Sequence, residues 1–131
     1  MHKKSLFLLQ DTKELNEALM KRFTEDGFSV VGSATDGMKA IAEIGDLKPN
    51  VLITELVLSG YDGFSVVEKV REFDKNVKII VLSALCNDMI IAKANSLGIN
   101  YFMAKPYNYQ ALKDRIDDVT GDNIDMNSGI L

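Results

Sequence analysis

Ile79-Ile80-Val81-Leu82-Ser83-Ala84 is the stretch on which the fold turns. A short, continuous apolar run closed by a small hydroxyl residue reads as a strand covered on both faces, as strands of a parallel sheet are. Outward from it the period changes. Val66, Val67, Val70 and Phe73 before it, and Ile90, Ile91, Ala94 and Leu97 after it, recur at the spacing of one helical face. The alternation continues to both ends of the chain. Leu6 to Leu9, Val30-Val31, Val51 to Ile53 and Tyr101 to Met103 are further apolar runs. Leu15, Ala18, Leu19 and Phe23, then Ala40, Ile41, Ile44 and Leu47, then Leu112, Ile116 and Val119 mark further helices. Asn87 or Asp88 and Asn108 suit helix starts, and Gly98 suits a left-handed stop. Strands alternating with helices in this way imply right-handed crossovers and an α/β, doubly wound parallel sheet with helices on both faces. Pro49 and Pro106 both fall at element boundaries. Beyond Val119 the composition turns polar and turn-rich, so residues 1–120 read as one domain and 121–131 as a linker or flexible tail.

Composition removes several classes of function. A chain of 131 residues with 47% hydrophobic content can close one core unaided. Nineteen acidic against 15 basic residues give a net charge of −4, which disfavours direct binding to nucleic acid or to an anionic membrane. Cys86 has no second thiol to pair with and no zinc-ligand pattern around it, which fits a reducing cytoplasm. Lys3-Lys4 followed by Ser5 to Leu9 imitates a signal peptide, but the run ends at Gln10-Asp11 without a cleavage site. No apolar stretch approaches the roughly 20 residues that span a bilayer. His2 is the one histidine, so no Ser-His-Asp or Cys-His arrangement is available. Gln10-Asp11-Thr12-Lys13 after the first strand carries no glycine and offers no nucleotide or flavin cradle.

In open parallel sheets, ligands gather outside the carboxyl ends of the strands. Those ends are Gln10-Asp11, Thr54-Glu55, Ser83-Ala84 and Lys105-Pro106. Two carboxylates, a hydroxyl and an ammonium arriving from four strands form a compact site for a cation or a phosphoryl group.

With those residues in place the chain resembles the receiver domains of bacterial two-component response regulators, over about residues 3 to 120. In that family an acidic pair ends the first strand, a phosphorylated aspartate the third, Ser or Thr followed by Ala the fourth, and Lys-Pro the fifth. Asp11, Glu55, Ser83-Ala84 and Lys105-Pro106 stand at those positions, with Tyr61-Asp62-Gly63 after the third strand and Phe102 three residues before Lys105. Leu97 to Tyr107 is similar to receivers of the sporulation-regulator type. The resemblance implies a flavodoxin-like (CheY-like) five-stranded sheet of order 2-1-3-4-5, with Ser83 and Phe102 as switch residues. It also implies Lys105 as the phosphate-contact residue, and a cis peptide at Pro106.

Three departures alter what the resemblance implies. Gln10 replaces the first acid of the pair, Glu55 the phosphoacceptor, and Leu58-Ser59 the usual Met-Pro. Carboxylates about 4 Å apart repel by roughly 4 kcal/mol at an effective dielectric near 20, and a divalent cation relieves that repulsion. With Gln10 neutral, Asp11 and Glu55 are the remaining metal candidates, and Mg²⁺ binding is expected to be weak or absent, with no cofactor required. The extra methylene of Glu55 is expected to carry its carboxylate outward, off the line of phosphoryl attack and towards Ser83 and Lys105, where it would act as a partial phosphate surrogate. Signalling is then phosphorylation-independent, and the output, transcriptional by analogy, runs through protein partners such as an output domain or sensor kinase. A homodimer through the fourth helix, fifth strand and fifth helix is the expected geometry. Two alternatives stay open: a constitutive dimerisation module with a vestigial site, and a small-substrate phosphotransfer enzyme. Plainer roles stand beside these. Asp11 with Glu14 also reads as a helix cap, Ser83 as a local backbone partner, Phe102 as core and Cys86 as a small buried hydrophobe.

Overall fold

The computed structural model describes residues 4–58 and 60–121; His2, Ser59 and the tail from residue 122 lie outside the described residues. Five strands, β1 (Ser5–Leu9), β2 (Ser29–Ala34), β3 (Val51–Glu55), β4 (Lys78–Ser83) and β5 (Tyr101–Ala104), alternate with five helices. These are α1 (Lys13–Glu25), α2 (Gly37–Leu47), α3 (Gly63–Phe73), α4 (Asp88–Ser96) and α5 (Tyr109–Thr120). The sheet is parallel throughout, in the order β2-β1-β3-β4-β5. This is the flavodoxin-like order that the resemblance implies.

Side chains alternate across each strand, so the sheet has two cores. Phe7, Leu9, Leu52, Ile79 and Val81 pack with Ala40, Ile44, Val66, Val67 and Val70, on the side covered by α2, α3 and α4. Leu6, Leu8, Val51, Ile53, Ile80, Leu82 and Met103 pack with Leu19, Phe23, Leu112 and Ile116, on the side covered by α1 and α5. Both faces of β3 and β4 are therefore buried, the physical reason for their continuous apolar runs.

The helix starts are satisfied by side chains: Thr12, Asp36, Asp62, Asn87 and Asn108 each accept from a backbone N–H of the first turn. Thr12, not Asp11, caps α1, which moves Glu14 off the capping-box position and leaves Asp11 in the loop. The apolar face of α1 also differs from the expected one. Leu15 and Ala18 are exposed, and Asn16 is buried with Leu19 and Phe23. Asn16 lies one turn before Leu19, and its amide donates to the Ala34 carbonyl at 2.9 Å, which satisfies the polar group it buries. Leu47 and Phe73, at the ends of their helices, are exposed as well. Gly98 has φ +71° just beyond α4, where Ile99 N–H donates back to Ala94. Among the described residues no helix is long and apolar enough to cross a membrane.

Candidate functional site

The same alternation that builds the cores decides where the strand-end residues go. Gln10, Glu55 and Lys105 continue the parity of Leu8, Ile53 and Met103, towards α1 and α5. Asp11, Ser83 and Phe102 continue that of Leu9, Val81 and their neighbours, towards α2, α3 and α4. Register brings the strand ends level, since Glu55 lies opposite Leu82 and Ser83 opposite Ala104.

Glu55 is buried, 7% exposed, and its carboxylate is shared between two donors. Oε1 accepts from the backbone N–H of Asp11 at 2.7 Å, and Oε2 is ion-paired with the Lys105 ammonium. The expected reach is found towards Lys105 and not towards Ser83, and the longer side chain turns its charge into the protein, where two donors compensate burial. Burial lowers the pKa of Lys105 from its ordinary 10.5, while the Asp11 charge raises it.

Gln10, 3% exposed, does not join this pair by any hydrogen bond seen here. Its side-chain amide donates to Asn16 Oδ1 at 3.2 Å, and Asn16 in turn donates to Ala34 O, a buried neutral chain between β1, α1 and β2. Asn16 was not legible as part of the site. The available signal was its spacing of three and seven residues from Leu19 and Phe23.

Ser83 is buried, and its hydroxyl accepts from the backbone N–H of Leu85 at 2.9 Å, a bond within its own loop. This is the plainer of the two roles the residue could take. Phe102 is half-buried and packs against the α2–α4 core. The Lys105–Pro106 peptide is cis. Cys86 is exposed in the β4–α4 loop rather than buried, because that loop stands clear of the sheet edge from Ala84 to Asn87.

Gly63 lets the loop after β3 close. A Cβ there would stand 2.3 Å from the Glu55 carbonyl oxygen and 2.9 Å from Leu56 Cα, while its N–H donates to Leu56 O at 2.7 Å. Only a residue without a side chain brings α3 this near the end of β3. Beside the pair, Gln10, Leu15, Ala84, Lys105, Pro106 and Tyr107 line a cavity of about 430 Å³. Among the described residues no three His, Cys, Asp or Glu side chains converge in a metal-holding group.

Comparisons with known proteins agree with this architecture. The response regulator receiver domain model matches residues 6–117. The chain is 28% identical over 116 residues to the chemotaxis protein CheY of Treponema pallidum, covering 87% of this chain and 81% of the relative. Among solved structures it superposes with a TM-score of 0.84 on the CheX-CheY-BeF3-Mg complex of Borrelia burgdorferi, at 23% identity and covering 89% of each chain. A DNA-binding response regulator of the LuxR family from Staphylococcus aureus superposes with a TM-score of 0.82, also at 23% identity, covering 88% of this chain and 98% of that one. At those identities the structures speak for the fold alone. The strand order, the closure of the β3–α3 loop at Gly63 and the family match over nearly the whole domain lead to one assignment: the chain belongs to the response regulator receiver domain family of two-component signalling.

Proposed function

We propose that this receiver signals without aspartyl phosphorylation, with Glu55 at the phosphoacceptor position and its fixed charge setting the state of the site. The observation that carries the reading is the double engagement of the Glu55 carboxylate, by Asp11 N–H and by Lys105. A carboxylate in that arrangement is a poor nucleophile, because attack requires giving up a buried ion pair whose disruption costs about 3 kcal/mol. The longer side chain adds misalignment, and a displacement of about 1 Å can lower a rate roughly a hundredfold.

The donors do not fit a magnesium shell. Asp11 and Glu55 are the two carboxylates at the ends of β1 and β3, Glu55 is bound to Lys105, and the Gln10 amide is turned to Asn16. A hard cation has one committed carboxylate and no third acid to draw on, so Mg²⁺ binds weakly or not at all. Output runs through protein contacts in the cytoplasm, by the face of α4, β5 and α5, where Phe102 lies half-buried and Tyr101 exposed. Residues 1–120 form the regulatory domain, residues 121–131 a linker or tail, and the output that the domain regulates is transcriptional.

A second reading, a constitutive dimeriser with a vestigial site, draws on Ser83, whose hydroxyl is bonded to Leu85 rather than to Glu55. Sedimentation over a concentration series, with and without beryllofluoride and Mg²⁺, separates the two: a dimer insensitive to both supports the second. The primary test is incubation with acetyl phosphate and Mg²⁺ followed by intact-mass measurement, beside Glu55→Asp. Mass gain in the variant alone is expected. Prompt stoichiometric gain in the unaltered protein overturns the reading.

A further inference from the structure

Large apolar side chains exposed among the described residues are unevenly distributed. Met38, Val57, Leu85 and Met89, 67%, 62%, 54% and 83% exposed, are the most exposed and all lie at the carboxyl edge of the sheet, whereas Leu47, Phe73 and Tyr101, 44%, 50% and 38% exposed, stand at the amino edge and Leu15, 45% exposed, is on α1. Topology makes the first four neighbours. Val57 and Leu85 each stand two residues beyond the ends of β3 and β4, which pair in register, and Met89 is in the first turn of α4. Met38 is in the first turn of α2, whose start lies against the β3–α3 loop: a Cβ on Gly37 would be 3.0 Å from Tyr61 O.

Acids are interleaved with this patch. Asp36, Asp62 and Asp88 sit at the starts of α2, α3 and α4, against Lys39 as the one base in those first turns. Lys105 is the one base in the strand-to-helix loops, and its charge is taken by Glu55. Apolar side chains singly on a surface need no explanation, but a rimmed group of them marks an interaction site.

We propose that this edge is a docking surface for a basic, amphipathic segment of a partner protein. Leu, Ile or aromatic side chains of that segment would cover Val57, Leu85 and Met89, and its Lys or Arg side chains would meet Asp62 and Asp88. Charge complementarity selects this occupant, since an acidic peptide, a nucleic acid or an anionic membrane would meet like charge. A second copy fits less well. Its basic region, around Lys4, Lys48 and Lys78, lies at the amino edge beside exposed Leu47 and Phe73, so its contact with this edge would be head-to-tail, an arrangement that leaves one such edge open in any pair. Val57 and Leu85 stand two residues beyond Glu55 and Ser83, so the surface borders the site, but docking there does not require the Glu55–Lys105 pair to break.

The test is a methyl NMR titration of the full chain with a synthetic amphipathic helical peptide of Leu and Lys, and with the same peptide carrying Glu for Lys. Saturable shifts confined to Met38, Val57, Leu85 and Met89 are expected, with affinity falling on adding salt. Leu85→Ser with Met89→Ser should weaken binding roughly tenfold or more. Both side chains are solvent-exposed, so an unchanged amide spectrum will show the variant folded. Equal binding of the Glu peptide, shifts spread over the amino edge, self-association through the same methyls, or full affinity in the double variant would each overturn the proposal.

Discussion

On the α1/α5 side of the strand ends every buried polar side chain is tied to a partner from another element, whereas on the α2–α4 side the polar groups stay local and apolar ones are exposed. Glu55 reaches the loop after β1 and the end of β5, and Gln10 reaches Asn16 on α1. Ser83, across the sheet, bonds within its own loop, beside exposed Leu85. Burial is alike on the two sides, since Ser83 is as buried as Gln10, so the difference teaches that side-chain reach decides where a buried polar group finds its partner. The long side chains of Glu55 and Gln10 cross to other elements, and the short hydroxyl of Ser83 is satisfied within its own loop.

The contrast breaks most sharply at Lys105. Lys105→Met leaves the Glu55 carboxylate buried without its cation, and a loss of about 3 kcal/mol is expected, towards the low end for buried pairs because Lys105 is partly exposed. Calorimetry should show a melting temperature lower by on the order of 10 °C. A shift below about 2 °C would mean that the pair contributes little.

Asn16→Ala comes next. It removes the acceptor for Gln10 and the donor to Ala34 O together, and roughly 2 kcal/mol is expected from urea unfolding midpoints. Should the neutral chain prove as dispensable as a surface contact, the contrast between the two sides loses half its basis.

Ser83→Ala sharpens the comparison from the other side. With one local bond lost, a cost of about 1 kcal/mol is expected, and amide hydrogen exchange should quicken at Leu85 while Asp11, bonded to Glu55, stays protected. Loss of protection at Asp11 would reveal coupling between the sides that the bonding pattern does not contain.

The smallest effect belongs to the pair of half-buried Tyr109 with exposed Asp26 at the end of α1, which serves as the reference. Tyr109 donates to Asp26 at 2.7 Å, and this bond, with the Lys113 and Arg22 charges, holds the Asp26 pKa below its ordinary 3.8. Burial first, then the bond and charge of Asp26, raise the Tyr109 pKa well above 10. The signs differ. Stability from Asp26 is present above the ordinary carboxylate range and lost as pH falls through its folded pKa. Stability from Tyr109 is present below pH 10 and lost as pH rises through its folded value. Tyr109→Phe should move the Asp26 carboxyl titration, followed by carbon NMR, back towards its ordinary value.

Much of the site was legible because receiver strands end in polar residues at fixed places, so Asp11, Glu55, Ser83 and Lys105 could be named from their strands. Their partners could only in part: Glu55 was expected towards Lys105, which it meets, and towards Ser83, which it does not. Glu55 and Lys105 are 50 residues apart, and whether they meet depends on the register of β3, β4 and β5. Leu15 and Asn16 show the same limit within one helix, where an apolar residue was expected inward and an amide is found there because Ala34 O offers it a bond. Cys86, read as buried from its chemistry, is exposed because its loop stands clear of the sheet.

Alternating period, strand against helix, is a local property, and the sequence by itself determined the class, the number of elements and the residues that end each strand. Tertiary structure alone decided that the Glu55 carboxylate takes the Asp11 N–H and leaves Ser83 to Leu85, that Gln10 belongs to a neutral chain with Asn16, and that Val57, Leu85 and Met89 share an open edge. The reason is physical. Hydrophobic period follows from the backbone's own repeat, but the partner of a buried polar group is whichever donor or acceptor the packed chain brings within about 3 Å.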